Sequence, residues 1–171
     1  MLSQVLGGFQ LGTILRLRSG EPLTIVSGLG TLNSRLRSSN ATNAFNNTVD
    51  LVGISLDQLR AALGPRTLNG RIYYIDPAML TSFANPAPGT LGSLPHGALT
   101  GPSFFRADFS ALKRTRLTEH QNIEFRAEFF NIFNTVNFEN PNLNINDPNF
   151  GVVSAIRGEP RVIQFALRYN F

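Results

Sequence analysis

Covalent chemistry needs reactive side chains close together, and this chain of 171 residues offers few. It has no cysteine, which excludes a disulfide scaffold, a thiolate nucleophile and thiolate zinc sites. Its two histidines stand apart. His96 lies in a Pro- and Gly-rich stretch and His120 in a short break between patterned segments, and neither has a serine and an acid spaced to form a nucleophile–base pair. The run Asn144-Ile-Asn-Asp-Pro-Asn149 presents oxygen ligands but only one carboxylate, Asp147, where calcium sites generally use more. Asn40-Ala-Thr42 and Asn46-Asn-Thr48 match the acceptor pattern for N-glycosylation, a short and unspecific motif. The expectation is a protein that is not an enzyme, with no catalytic residues, no metal and no cofactor.

The charges point away from nucleic acid as well. The net charge is +4 and the pI about 10.3, but the 15 Lys and Arg residues are scattered, and the nearest thing to a cluster is Lys113-Arg114-Thr115-Arg116. Only 15% of residues are charged, against about 25% in ordinary soluble domains. Hydrophobic residues make up 42%, and Phe dominates the aromatics, with 14 Phe, 3 Tyr and no Trp. No apolar run is long enough for a transmembrane helix. Residues 1–9 lack the basic, apolar and cleavage regions of an export signal.

What the sequence does contain is alternation. Phe9, Leu11, Thr13, Leu15 and Leu17 alternate with Gln10, Gly12, Ile14, Arg16 and Arg18; Phe105, Ala107, Phe109 and Ala111 with Arg106, Asp108 and Ser110. Ile123, Phe125, Ala127 and Phe129 alternate with Asn122, Glu124, Arg126 and Glu128; Ile163, Phe165, Leu167, Tyr169 and Phe171 with Val162, Gln164, Ala166, Arg168 and Asn170. Successive strand residues point to opposite faces, so each segment reads as a strand with one apolar and one polar side. The spacing predicts strands near residues 8–26, 104–115, 121–133 and 161–171, joined by long loops over 27–103 and 135–160. No composition shift marks a second compact domain.

Two architectures suit such strands: a soluble antiparallel sandwich, serving as a binding or adhesion module, or a membrane barrel. The predicted lengths match the roughly 9–11 residues of a tilted membrane-spanning strand better than the usual 5–6 of a soluble one. Aromatics gather near strand ends, and a loop as long as 27–103 is rare in a compact soluble domain. The expected fold is therefore all-β, an antiparallel up-and-down transmembrane β-barrel segment of about four long strands with long extracellular loops. Ile163, Phe165, Leu167, Tyr169 and Phe171 would face outer-membrane lipid. Arg16, Arg18, Arg106, Asp108, Glu124, Arg126, Glu128 and Arg168 would face the lumen. Four strands make an incomplete barrel, since single-chain barrels start at eight.

Charge also suggests a register for the central pair. Placing Asp108 opposite Arg126, Arg106 opposite Glu128 and Ser110 opposite Glu124 avoids like charges face to face. Between the strands, Ser55 and Gln58 have capping-box spacing ahead of a short helix with Gly64 as its stop, and Asp76-Pro77 suits the start of a helical turn.

Several stretches resemble the C-terminal barrel region of TonB-dependent outer-membrane receptors, particularly the Oar-like group. They are Gly101-Pro-Ser-Phe-Phe-Arg-Ala-Asp-Phe-Ser110, Phe125-Arg-Ala-Glu-Phe-Phe-Asn-Ile-Phe-Asn134, Asn149-Phe-Gly151 and Arg161-Val-Ile-Gln-Phe-Ala-Leu-Arg-Tyr-Asn-Phe171. Leu17-Arg-Ser-Gly-Glu-Pro-Leu-Thr24 is similar to an earlier strand of the same barrels. The resemblance implies energised ligand uptake through a plugged barrel coupled to TonB. It also implies that the terminal strand, Ile163 to Phe171, is read by the barrel assembly machinery. No plug domain is present in residues 1–171, so the rest of the receptor, plug and further strands, is an expected partner. With Phe171 periplasmic, the break at Arg116–His120 is a periplasmic turn, and both long loops lie outside.

Overall fold

The computed structural model describes residues 7–29, 31 and 47–171. Asn40 and Asn46 of the two acceptor motifs lie outside the described residues. The chain forms two compact units, one from Met1–Arg18, Phe104–Asn137 and Arg157–Phe171, the other from Ser19–Ser103 and Phe138–Ile156.

The first unit is a four-stranded antiparallel sheet of β1 (Phe9–Arg18), β8 (Phe104–Arg116), β9 (Asn122–Phe130) and β10 (Val162–Asn170), in that spatial order. The segments between β1 and β8 and between β9 and β10 leave the same end of the sheet, and a short turn closes the other. The sheet is open: β1 and β10 each have one paired neighbour among the described residues. Among the described residues, no helix is long and apolar enough to cross a membrane.

The first strand is shorter than its sequence suggests, ending at Arg18 instead of continuing to Val26. Gly20 lies so close to the Gly101 carbonyl that no Cβ fits there, and Pro22 has no N–H for a ladder. Beyond that point the two-residue strands β2 (Pro22–Leu23) and β7 (Leu99–Thr100) pair, and Val26 makes isolated bridges to Thr48 and Asn144.

Residues 27–103, expected as a long loop, contribute most of a packed core in the second unit. Leu23, Ile25, Val49, Leu59, Tyr74, Ile75, Phe83, Leu94, Leu99, Ile145, Phe150 and Val153 are buried together. Their irregular spacing explains why no domain was legible. Of these, only Leu23, Leu59, Phe83 and Leu99 lie in a strand or helix, and the strands of this unit, including β3 (Asp50–Leu51), β4 (Arg66–Leu68), β5 (Arg71–Tyr73) and β6 (Phe83–Ala84), have two or three residues, too short to show a period. Helix α1 (Leu56–Ala61) has the expected reciprocal capping box between Ser55 and Gln58, and a 3₁₀ helix (Pro77–Ser82) is capped by Asp76. Residues 138–156 fold back as a loose hairpin, with Glu139 N donating to Ala155 O and Asn142 N to Val152 O.

The register of β8 on β9 differs from the charge-based expectation by four residues. Ser110 lies opposite Glu128, Leu112 opposite Arg126 and Arg114 opposite Glu124. The turn decides it. Leu117 N donates to Gln121 O at 2.9 Å, and Gln121 N donates to the Thr118 hydroxyl at 3.1 Å, so the hairpin closes around residues 118–120. This register also sets Phe109 against Phe129, ring centroids 6.0 Å apart, and pairs Arg114 with Glu124 at 2.7 Å. Charge complementarity was available in both registers, and Asp108 finds its partners elsewhere. Because the chain has no cysteine, Ser110→Cys with Glu128→Cys should oxidise readily to a disulfide, and Ser110→Cys with Glu124→Cys should not; the reverse pattern on a non-reducing gel would restore the expected register.

Candidate functional site

Register determines which side chains share a surface. Arg16 stands opposite Arg106 and Ile14 opposite Asp108; Glu128 lies between Ser110 and Gln164, Arg126 between Leu112 and Ala166, and Glu124 between Arg114 and Arg168. Arg16, Arg18, Arg106, Asp108, Glu124, Arg126, Glu128 and Arg168 therefore lie on one face of one sheet. Arg114 and Arg116 join them. The alternation, followed past Ala111, places both there, and only the reading of 113–116 as a basic cluster hid it.

Short polar contacts organise this face. Arg106 Nε donates to Asp108 Oδ1 at 2.8 Å. Glu124 accepts from Arg114 at 2.7 Å through one oxygen and from Arg126 at 3.3 Å through the other. The Gln164 amide donates to the Glu128 carboxylate.

The opposite face is apolar. It carries Leu11, Leu15, Leu17, Phe109 and Phe129 with Ile163, Phe165, Leu167 and Tyr169. Phe125 is 43%, Phe165 65% and Tyr169 50% exposed, so this is a bare apolar surface and not a packed core. The Phe125 and Phe165 rings stack at 6.0 Å, and Phe129 meets Phe165 edge-on at 6.3 Å. Phe171 lies one residue past β10, and its ring sits 5.9 Å from that of Tyr169. The single charge on this face, Lys113, holds its ammonium 4.2 Å above the Phe9 ring.

The end of β9 is built by asparagines. Asn131 is buried with φ of 50°, a left-handed conformation that Asn tolerates better than most residues. Its N–H donates to Asp108 Oδ1 at 2.9 Å, its side-chain nitrogen donates to Thr135 O and Glu159 O, and its side-chain oxygen accepts from Thr135 N. Asn134, φ 52°, accepts from Arg161 N. Asn137 accepts from Phe105 N at 2.8 Å and donates to Phe105 O at 2.9 Å, so one amide does the work of a paired strand residue. In the sequence, the signal for this clamp is the Asn131-Ile-Phe-Asn134 run, two polar residues flanking an apolar pair at a strand end.

In the second unit the Asn-rich run makes turns. Asn142, Asn144 and Asp147 side chains accept from the backbone N–H groups of Asn144, Asn146 and Asn149. The Asn149 N–H, then the Asn142 side chain, hold the Asp147 carboxyl below the usual carboxylate range. No group of three potential metal ligands occurs among the described residues. An open cleft of about 550 Å³ is lined by Gly70, Arg71, Ile72, Asn142, Asn149 and Ser154 among others, with Arg71 donating to Asn149 Oδ1 at 3.1 Å.

A family model described as an outer membrane beta barrel domain matches residues 1–164. No curated protein and no solved structure matches the chain.

Replacing Asn131 by Ala removes three side-chain hydrogen bonds and puts a Cβ without local compensation in the left-handed region. It should cost about 3 kcal/mol, read from the urea midpoint of the folded chain in micelles. The lowered Asp147 carboxyl contributes order above its unfolded pKa, and that order is lost as pH falls through the folded value. Amide exchange at Asn149 should accelerate in acid, and Asp147→Asn should abolish the pH dependence.

Proposed function

The chain belongs to the outer membrane β-barrel domain family, and on that premise we propose that it forms part of the wall of a TonB-dependent receptor for energised uptake of a ligand. The family itself points to the outer membrane of Gram-negative bacteria. The observation that carries the barrel-wall reading is the sheet: four antiparallel strands, one face apolar and exposed, the other charged, and, among the described residues, both outer strands open at one edge. In hydrocarbon an unpaired strand edge leaves several polar groups without partners, each costing kcal/mol. Further strands must cover β1 and β10, so the working barrel is larger than this sheet.

In this reading the apolar face meets lipid and the charged face lines the lumen. The segments joining β1 to β8 and β9 to β10 are extracellular, and the 118–120 turn is periplasmic. The terminal strand, with Ile163, Phe165, Leu167, Tyr169 and Phe171, is presented to the assembly machinery. The resemblance of Phe125–Asn134 and Arg161–Phe171 to TonB-dependent receptors supports energised uptake. The chain performs no covalent chemistry; it binds and guides.

Two measurements test this. Phe165→Arg should lower folding into lipid vesicles by about 2–4 kcal/mol, while Gln164→Arg, one residue away on the other face, should leave it nearly unchanged. Equal effects would remove the membrane assignment of the faces. In-cell cross-linking in the native host should join the assembled chain to a plug-bearing polypeptide and to TonB. Assembly in the outer membrane with neither attached would overturn the receptor reading and leave the barrel assignment intact.

A further inference from the structure

Asn69-Gly70 is the one asparagine–glycine pair in the sequence. It forms the two-residue tip of the hairpin in which β4 pairs with β5, with Leu68 opposite Arg71. Both tip residues are left-handed, Asn69 with φ of 50° and Gly70 with φ of 75°, as the favoured turns of that length require. Both are exposed, and nothing lies within 4 Å of the position that a Cβ on Gly70 would take. Among the described residues, neither the Asn69 side chain nor the Gly70 N–H has a hydrogen-bond partner. Asn131 is the opposite case: it is buried, its side chain donates to Thr135 O and Glu159 O, and the branched Ile132 follows it. The hairpin gives Asn69 little protection. β4 and β5 share three pairs, β4 has no other strand partner among the described residues, and so short a ribbon opens readily.

A side-chain amide carbon beside a free backbone N–H, with no side chain on the next residue to hinder approach, is open to attack by its own chain. We propose that Asn69-Gly70 is a self-modification site, at which the chain deamidates without an enzyme. The Gly70 nitrogen loses its proton and adds to Asn69 Cγ; ammonia leaves with a proton from solvent, and a succinimide ring closes. Water then adds to one of the two ring carbonyls and breaks its bond to the Gly70 nitrogen. Addition at Cγ gives aspartate; addition at the backbone carbonyl gives isoaspartate, with the main chain running through Cγ. The net change consumes one water and releases one ammonia, with no oxidation or reduction. Isoaspartate adds a carbon to the backbone of a two-residue turn and so breaks the match of Leu68 with Arg71. β5 is held independently, by Val153 N donating to Ile72 O and Tyr74 N to Gly151 O, so the disturbance is confined to β4 and the tip. Either product sets a carboxylate beside the cleft that Gly70 and Arg71 line, and lowers the net charge of +4 by one.

The test incubates the full chain, folded in detergent micelles, at neutral and mildly alkaline pH and maps its peptides by mass spectrometry. Isoaspartate is counted with an isoaspartyl methyltransferase. Asn69 should convert before any other described asparagine, mostly to isoaspartate, and faster at the higher pH, because the attacking nitrogen must lose its proton. Gly70→Asn keeps a residue that tolerates left-handed φ but adds a side chain, and should slow the conversion severalfold. In the converted chain, amide exchange should accelerate over residues 66–71 and stay unchanged in the four-stranded sheet. The proposal fails if Asn69 keeps its amide in the folded chain while the same peptide, released by proteolysis, converts. It also fails if Asn69 converts no faster than Asn131. Aspartate without isoaspartate, at a rate that does not rise with pH, would mark direct hydrolysis and overturn the self-attack.

Discussion

In hydrocarbon a strand's N–H and C=O groups have no water to turn to, so each must pair with a neighbouring strand, and most of this molecule follows from that requirement. Among the described residues, β8 and β9 satisfy it on both sides, and β1 and β10 on one. Pairing in turn enforces the two-sided character of the wall. Once the ladders form, every odd-numbered residue of the four strands lies on one face and every even-numbered residue on the other. Phe125, Phe165 and Leu167 are then collected into one bare apolar surface, and the arginines and carboxylates into one polar surface. Neither surface is made by any single strand.

Where the ladders stop, side chains take over the pairing. At the end of β9 the chain must turn out of the sheet without stranding buried polar groups, and the amides of Asn131, Asn134 and Asn137 supply donors and acceptors that further strand would have supplied. Asp108 is part of the same device. It binds Arg106 on its own strand and the Asn131 N–H at the exit, so its role is as much to close the strand end as to decorate the polar face. The chain passes between its two units after Arg18, Ser103, Asn137 and Ile156. The asparagines lie just before the third of these passages.

The second unit obeys a different logic. Its core is assembled from residues far apart in sequence, such as Ile25, Val49, Ile75, Leu94 and Ile145, all of them in loops, bends and turns. Its buried polar residues are paired in the same scattered way: Asn47 donates to Thr31 and to Thr90 O and accepts from Gly92 N, while Ser27 donates to Asn85. The length of residues 27–103 favoured a membrane fold, yet those residues belong to a folded unit with a packed core completed by Leu23, Ile25, Ile145, Phe150 and Val153. The fold class was right even though one of its supports was not.

The sequence alone determined the all-β class, the four long strands and the face each side chain belongs to. Period-2 alternation is a local property, and a strand transmits it unchanged, as Arg106, Asp108, Glu124, Arg126 and Arg168 show. Local capping chemistry was equally legible, at Ser55–Gln58 and Asp76–Pro77, because those interactions close within a few residues. Only the tertiary structure decided the register of β8 on β9, the early end of the first strand, the Asn131 clamp and the core of the second unit. Each depends on contacts between distant segments or on a turn's geometry. Competing registers offer similar charge pairs, and a core built from isolated hydrophobic residues has no period to read.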